Sequence, residues 1–366
     1  MEFLADYGLF FAKTLTIVVA LAVIITLIAA SSLKGHGQSK GHIEVTKLNE
    51  KLDDIVEGIK SVVLPADELK LAEKARKKEE KEEKKRSKAK LKAAKKQLAS
   101  STENDNEEPN STEAPAKRLF VTDFDGDIKA SATEELRQVV TAILSLANQN
   151  DEVVVRLESQ GGMVHSYGLA SSQLRRITDK GIPLTVCVDK VAASGGYMMA
   201  CVANKIMSAP FAIIGSIGVV AQLPNFHRLL KKNNIDYEMF TAGEYKRTIT
   251  MFGENTEKGR KKFVEDLEDT HELFKDFIKD NREAVNVDDV ATGEIWFGKR
   301  ALDKNLIDGL QTSDQYLLEA CDSSEVFEIK FVEKKSIAEK LGLNVEAALE
   351  GAFTKILQKL NTRIFN

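Results

Sequence analysis

A buried strand, a tight turn and a buried helix meet within some twenty residues near the middle of this chain. The apolar, β-branched run Pro183-Leu184-Thr185-Val186-Cys187-Val188 is followed by Val191-Ala192-Ala193-Ser194-Gly195-Gly196-Tyr197 and then by Met198-Met199-Ala200-Cys201-Val202-Ala203. The first run reads as a strand and the last as a helix. A serine at the head of that helix lies beside unpaired N–H groups and the positive end of the helix dipole. The two glycines permit a close backbone approach and φ values that other residues resist. An exposed hydroxyl beside free amides suits acyl transfer, in which an oxyanion must be stabilised as it forms. The competing reading is an N-cap serine followed by packing glycines.

The elements around this unit alternate. Leu119–Phe124 and Glu152–Leu157 read as strands, while Glu134–Asn148 and Tyr167–Thr178 read as amphipathic helices. Short strand-like runs follow at Ala203–Met207 and Ala212–Val220, and a strong helix at Val264–Asp280 has Leu267, Phe274, Phe277 and Ile278 toward the core. Strands alternating with helices across short loops define an α/β domain with a largely parallel sheet. In such sheets ligands bind at the C-terminal edge of the strands. The turns at Gly161-Gly162 and Ser194-Gly195 both follow strands and so share that edge.

The N-terminal third is built differently. No charge occurs from Thr14 to Leu33, and about twenty helical residues span the roughly 30 Å hydrocarbon layer of a bilayer. The acidic start (Glu2, Asp6) argues for an uncleaved anchor over a signal peptide. Lys34, Lys40 and Lys47 follow the span, so the positive-inside rule puts the bulk of the chain in the cytoplasm. Residues 41–70 are expected to be helical, with Leu48, Leu52, Ile55, Val56, Ile59 and Val63 in one stripe. Lys74–Lys96 is a solvated helix or disordered arm, and Ser100–Pro115 a flexible linker. The divisions are therefore 1–33 anchor, 34–99 amphipathic then Lys/Glu-rich region, 100–117 linker, 118–320 catalytic domain, and 321–366 strand plus amphipathic helix. The face of that last helix, Val345–Leu360, suits a subunit contact or a membrane surface.

Composition excludes several functions. The formal net charge of −4 over 366 residues gives no reason to expect a nucleic-acid partner. Cys187, Cys201 and Cys321 lack metal-ligand spacing, and the five histidines form no HExxH pair, so neither a metal nor another cofactor is expected.

A serine nucleophile needs a base. His165 and His227 are candidates, and so is a lysine kept neutral by burial. Lys246 in Gly243-Glu244-Tyr245-Lys246-Arg247 stands out because it follows the strand-like Tyr237–Thr241, but spacing alone does not choose among these three.

Gly161-Gly162, the Ala-Ala-Ser-Gly-Gly-Tyr turn, Gly215-Ser216-Ile217-Gly218-Val219 and Glu244-Tyr245-Lys246 together resemble the signal peptide peptidase A (protease IV) family over roughly residues 118–320. The short single-unit chain with its charged linker is similar to one branch of that family. The resemblance implies a ClpP/crotonase-like core of repeated β-β-α/βα units around a parallel sheet, preceded by one transmembrane helix and a charged helical or disordered linker. It implies a serine endopeptidase of the bacterial inner membrane acting on hydrophobic peptides such as remnant signal peptides. Ser194 would be nucleophile, Lys246 general base, and Ser216 the group that orients the lysine. The amides of Gly195 and of Gly161 or Gly162 would form the oxyanion hole. The family also implies homo-oligomers whose subunits adjoin at the substrate groove, and a catalytic domain outside the cytoplasm, against the charge rule. Its usual Asn-Ser-Pro-Gly-Gly reads Glu158-Ser159-Gln160-Gly161-Gly162 here. Two other functions fit the same fold or segments: a crotonase-type acyl-CoA enzyme, for which Glu158 is the tempting carboxylate, and a catalytically silent membrane scaffold.

Overall fold

Val153, Val154 and Val155 are completely buried on both faces of their strand, the arrangement that parallel sheets require because helices cover both sides. The computed structural model describes residues 41–65 and 117–333, with scattered positions in 11–16 and 67–85. The chain forms two compact units, one of residues 1–42 with 332–366 and the other Ile43–Phe331. The second unit carries the sheet, the core and the site.

The chain enters through β1 (Gly41–Lys47) and α1 (Leu48–Val63). The helix expected from residue 41 therefore begins seven residues late. His42-Ile43-Glu44-Val45-Thr46 alternates with β-branched residues, and Ile43 packs on the main core, so sheet pairing wins over the helical stripe that starts at Leu48.

The central succession is β2 (Arg118–Gly126), α2 (Thr133–Leu146), β3 (Glu152–Ser159), α3 (Val164–Asp179), β4 (Leu184–Val188), β5 (Val191–Ala193) and α4 (Gly195–Ala200). Next come β6 (Lys205–Ser208), β7 (Ile213–Gly215), α5 (His227–Lys232), α6 (Glu257–Asn281), α7 (Val287–Val290) and β8 (Ile295–Phe297). The described chain closes with α8 (Gly298–Asp303), β9 (Gly309–Leu310), α9 (Ser313–Ser323) and β10 (Glu325–Glu333). The sheet runs β1-β10-β2-β3-β4-β6-β9, with β5 pairing β3 and β7, and β7 pairing β8. Every registered pair from β10 to β9 is parallel, and β7–β8 is antiparallel. The mixed α/β fold with a mostly parallel sheet is thus as expected. β10 lies against β2, Glu325 opposite Arg118, so the strand beyond residue 320 completes the same sheet.

Helix α2 buries Leu136, Val139, Val140 and Ile143, and α3 buries Tyr167, Ala170, Leu174 and Ile177. The first set falls at i, i+3, i+4 and i+7 and the second at i, i+3, i+7 and i+10, each the rhythm of a helix with one inward stripe. Fully burying each large aliphatic side chain contributes about 1.5–3 kcal/mol, so these stripes fix how the helices lie on the sheet. Helix α6 is capped by Thr256, whose hydroxyl accepts from the Gly259 N–H.

Two expected features take other forms. Tyr237–Thr241 is not a strand; it belongs to a largely exposed segment, 219–256, whose one helix is α5. Among the described residues no strand pairs with them, so β-propensity alone does not form a strand. The Thr14–Leu33 run and the expected helix over Val345–Leu360 lie outside the described residues, save the first few positions of the former. Among the described residues no helix is long and apolar enough to cross a membrane.

Candidate active site

Three turns meet because three short strands run side by side. Ser159 at the end of β3 pairs with Ala192 of β5, and Ala193 of β5 pairs with Gly215 of β7. The chain therefore leaves the sheet at Ser159–Gly162, at Ser194–Gly196 and at Gly215–Gly218 along one edge.

Ser194 sits at φ 52, ψ −118, a region that costs a non-glycine residue about 1–3 kcal/mol unless its surroundings enforce it. They do so on both sides. Its N–H donates to the Gly215 carbonyl at 2.7 Å, and its carbonyl accepts the Met198 N–H at 2.9 Å. All six residues of α4 are buried, so the turn has no freedom to relax outward.

Gly161 shows why the first turn needs glycine. At φ 86 its Cβ, if present, would lie 2.6 Å from the Gly195 nitrogen and 2.8 Å from the Ser194 Cβ. The two turns thus touch backbone to backbone. Gly195 in turn presses on the Tyr167 ring, where a Cβ would come within 2.4 Å of Cγ.

Beneath this contact lies a hydrogen-bonded prop. The Gly161 N–H donates to Ser159 Oγ at 3.0 Å, Ser159 Oγ and Tyr167 Oη are 2.5 Å apart, and Tyr167 donates to the Asp127 carbonyl at 2.7 Å. Burial, followed by the nearby Asp127 and Asp125, raises the Tyr167 pKa against the lowering effect of Ser159. The phenol therefore stays protonated as a donor. Sequence reasoning singles out neither residue as functional; the only signal is that Ser159 precedes the glycine pair.

Ser216 follows Gly215, the residue whose carbonyl holds the Ser194 N–H, and has φ 51. Its own N–H donates to the Glu294 carbonyl at 2.6 Å. One peptide thus separates the hydrogen bond at Ser194 from Ser216.

Ser194 opens into a cleft of about 310 Å³ between α3 and α6. Val164, Met198, Leu273, Phe274 and Phe277 make its lining apolar, and Gly162, Gly195 and His165 also reach it. Lys246 does not line this cleft. It is exposed in the 219–256 segment, its N–H donating to the Gly243 carbonyl at 3.2 Å. Its neighbour Glu244 pairs with Lys258, which holds the Glu244 carboxyl below its ordinary range. His227, at the start of α5, does not reach the cleft either.

Glu158 is turned to another task. It pairs with Lys190 at 2.8 Å and lines a separate polar pocket with Asp123, Asp125, Arg156 and Asp189. Among the described residues no group of His, Cys, Asp or Glu is arranged to hold a metal. Burial pushes the thiols of Cys187 and Cys201 up to about 12, which makes them inert.

A mixed α/β sheet presents a strained serine at its edge in an apolar cleft, and most of the chain carries the signature of one family. Residues 2–174 match the N-terminal model of peptidase family S49 and residues 176–326 the peptidase family S49 model itself. The chain belongs to peptidase family S49. It is 49% identical to the probable protease SohB of Haemophilus influenzae over 94% of both chains. It is 46% identical to the probable protease SohB of Buchnera aphidicola subsp. Schlechtendalia chinensis over 87% of this chain and 99% of that one. Protease 4 of Haemophilus influenzae is 24% identical over 52% of this chain and 32% of its own. The chain is therefore a peptidase.

Proposed function

We propose that this peptidase is a membrane-anchored serine endopeptidase that cuts hydrophobic peptides, with Ser194 as nucleophile and Lys246 as general base. The observation that carries the reading is Ser194 itself, at φ 52 at the head of a buried helix and opening into an apolar cleft. Backbone strain at a residue so firmly enforced is characteristic of reacting groups.

In this reading the neutral Lys246 amine takes the Ser194 proton as Oγ attacks the scissile carbonyl. The resulting oxyanion is held by the Gly195 and Gly162 N–H groups. Gly162 is the better partner than Gly161, whose N–H is committed to Ser159. The protonated lysine then returns its proton to the leaving amine, and water releases the acyl group by the same route. Ser216 holds the lysine amine in line. Because Lys246 is exposed and absent from the cleft of its own chain, the reading has a second copy present the lysine, and so a homo-oligomer. Anchoring by lipid contact of the Thr14–Leu33 run in the bacterial inner membrane completes it, with no cofactor.

Cleavage of hydrophobic peptides by the full chain in detergent tests it, together with labelling by a fluorophosphonate. Ser194→Ala is expected to abolish both. Retained cleavage in that variant would remove the nucleophile assignment. One observation favours a second reading, with His165 as base: it shares the cleft with Ser194. An inactive, folded His165→Ala beside an active Lys246→Ala selects that alternative.

A further inference from the structure

We propose that Gly168 sets the size of the substrate side chain this enzyme accepts, by leaving the cleft beside Ser194 wide enough for a large aliphatic or aromatic group. The inference rests on the peptidase reading above and assigns a determinant within its site.

Gly168 lies in the interior of α3, a sixteen-residue helix, where glycine is a poorer choice than alanine because of its backbone entropy. Neither of the usual reasons for a glycine applies. Its φ is not in the left-handed region, and beyond the helix's own backbone no atom lies within 4 Å of the place its Cβ would occupy. Gly161 and Gly195, by contrast, would clash with backbone or ring atoms at under 3 Å.

The empty space over Gly168 is the cleft. Val164, His165 and Gly168 fall at i, i+1 and i+4 and line one wall; Thr270, Leu273, Phe274 and Phe277 of α6, at i, i+3, i+4 and i+7, line the other. Leu273 remains 64% exposed although it is large and apolar, because it faces this gap rather than a neighbouring helix. Ser194 and Met198, one turn apart at the head of α4, close the inner end. A side chain attached to the carbonyl under attack by Ser194 enters between the two walls, and any side chain at position 168 takes its room.

The test uses peptides that differ only in the residue supplying the scissile carbonyl: Ala, Leu or Phe. The full chain, Gly168→Ala and Gly168→Leu are compared by kcat/KM. The same substitutions in a Ser194→Ala background are compared by peptide affinity. The Phe-to-Ala preference is expected to fall at least about tenfold in Gly168→Leu, the scale on which apolar pockets discriminate. It should fall less in Gly168→Ala. Both variants should melt at or above the parent temperature, since the new carbon meets open space, and the alanine form carries the test where the leucine form does not fold. A preference unchanged in both assays overturns the proposal. Size-selective binding that is lost in Gly168→Leu, in a chain that cleaves none of the peptides, keeps the gate and overturns the peptidase mechanism instead.

Discussion

Ser159 Oγ lies 2.5 Å from Tyr167 Oη and also receives the Gly161 N–H, so one hydroxyl pair ties the glycine turn to the helix that follows it. The turn and the Ser194 backbone are in contact through Gly161 and Gly195. Any slack in the pair is passed to the groups around Ser194.

Tyr167→Phe should therefore lower kcat more than it changes KM, by about 5–150-fold if the loss follows the roughly 1–3 kcal/mol cost of leaving a hydrogen-bond partner unsatisfied. The affected partners are the Asp127 carbonyl and Ser159. Ser159→Ala should act in the same direction, and Ser159→Thr should restore part of the loss. Steady-state kinetics on one hydrophobic peptide decides the matter. A rise in KM with kcat intact would mean the prop shapes binding rather than chemistry.

Acid should attack the other end of the sheet. Burial favours the neutral form of Glu152, yet hydrogen bonds from Lys117, Tyr316 and Thr185 outweigh it and lower its pKa below the ordinary 4.5. A carboxyl depressed in the folded state contributes stability above its unfolded pKa and loses it as pH falls through the folded one. Thermal melts should therefore drop below about pH 4.5, the ordinary value for the group. Glu152→Gln should be less stable at neutral pH and show a shallower acid limb, because its stability no longer depends on a proton there. An equally steep limb in that variant would assign the acid sensitivity to other carboxyls, such as Asp151 beside Arg118.

Arg282 closes the C-terminal end of α6. Its guanidinium makes two bonds of 2.9 Å to the Asp308 carboxylate, and Asp308 also accepts the Ile206 N–H at 2.7 Å. Arg282 is 8% exposed, so removing it empties a buried position and leaves the exposed Asp308 carboxylate with only the Ile206 N–H. Arg282→Ala should cost about 1–3 kcal/mol in urea unfolding. Because α6 forms a wall of the Ser194 cleft, activity should fall at temperatures below the melt. A loss under about 1 kcal/mol would place the pair with ordinary surface bridges.

Much of this is legible in local pattern. The continuous apolar runs on either side of Ser194 report a strand and a helix because both are buried on every face. The helical rhythms of α2, α3 and α6 are equally plain. What escapes is whatever depends on two distant segments meeting. Phe277 of α6 packs against the core, as local periodicity expects, but that periodicity does not show that it also lines the cleft opposite α3. The Tyr167 hydroxyl reaches a carbonyl forty positions earlier, a pairing that no periodicity encodes. At residues 41–47 the helical stripe beginning at Leu48 extends backward over a strand, because partner strand β10 comes nearly three hundred residues later.

The exposed position of Lys246 yields the sharpest prediction. A lysine on the surface segment 219–256 is hydrated and does not line the cleft of its own chain. That segment also exposes Phe240 at 89% and Val220 at 79%, more apolar surface than a free arm of this length needs. Packing against a second copy would cover those side chains and desolvate the lysine, which favours the neutral amine a base requires. Ser194→Ala and Lys246→Ala chains should each be inactive alone. Mixed and reassembled in equal amounts, they should regain up to about a quarter of wild-type turnover, because a fraction of interfaces then joins an intact serine to an intact lysine from different chains. Lys246→Arg should be as inactive as Lys246→Ala, since guanidinium does not give up its proton, and should complement Ser194→Ala no better. Phe240→Asp should weaken assembly and activity together, as read by sedimentation and peptide cleavage. An active monomer, or two single variants that never complement while each still assembles, would confine the dyad to one chain and demand that the arm fold back over its own cleft.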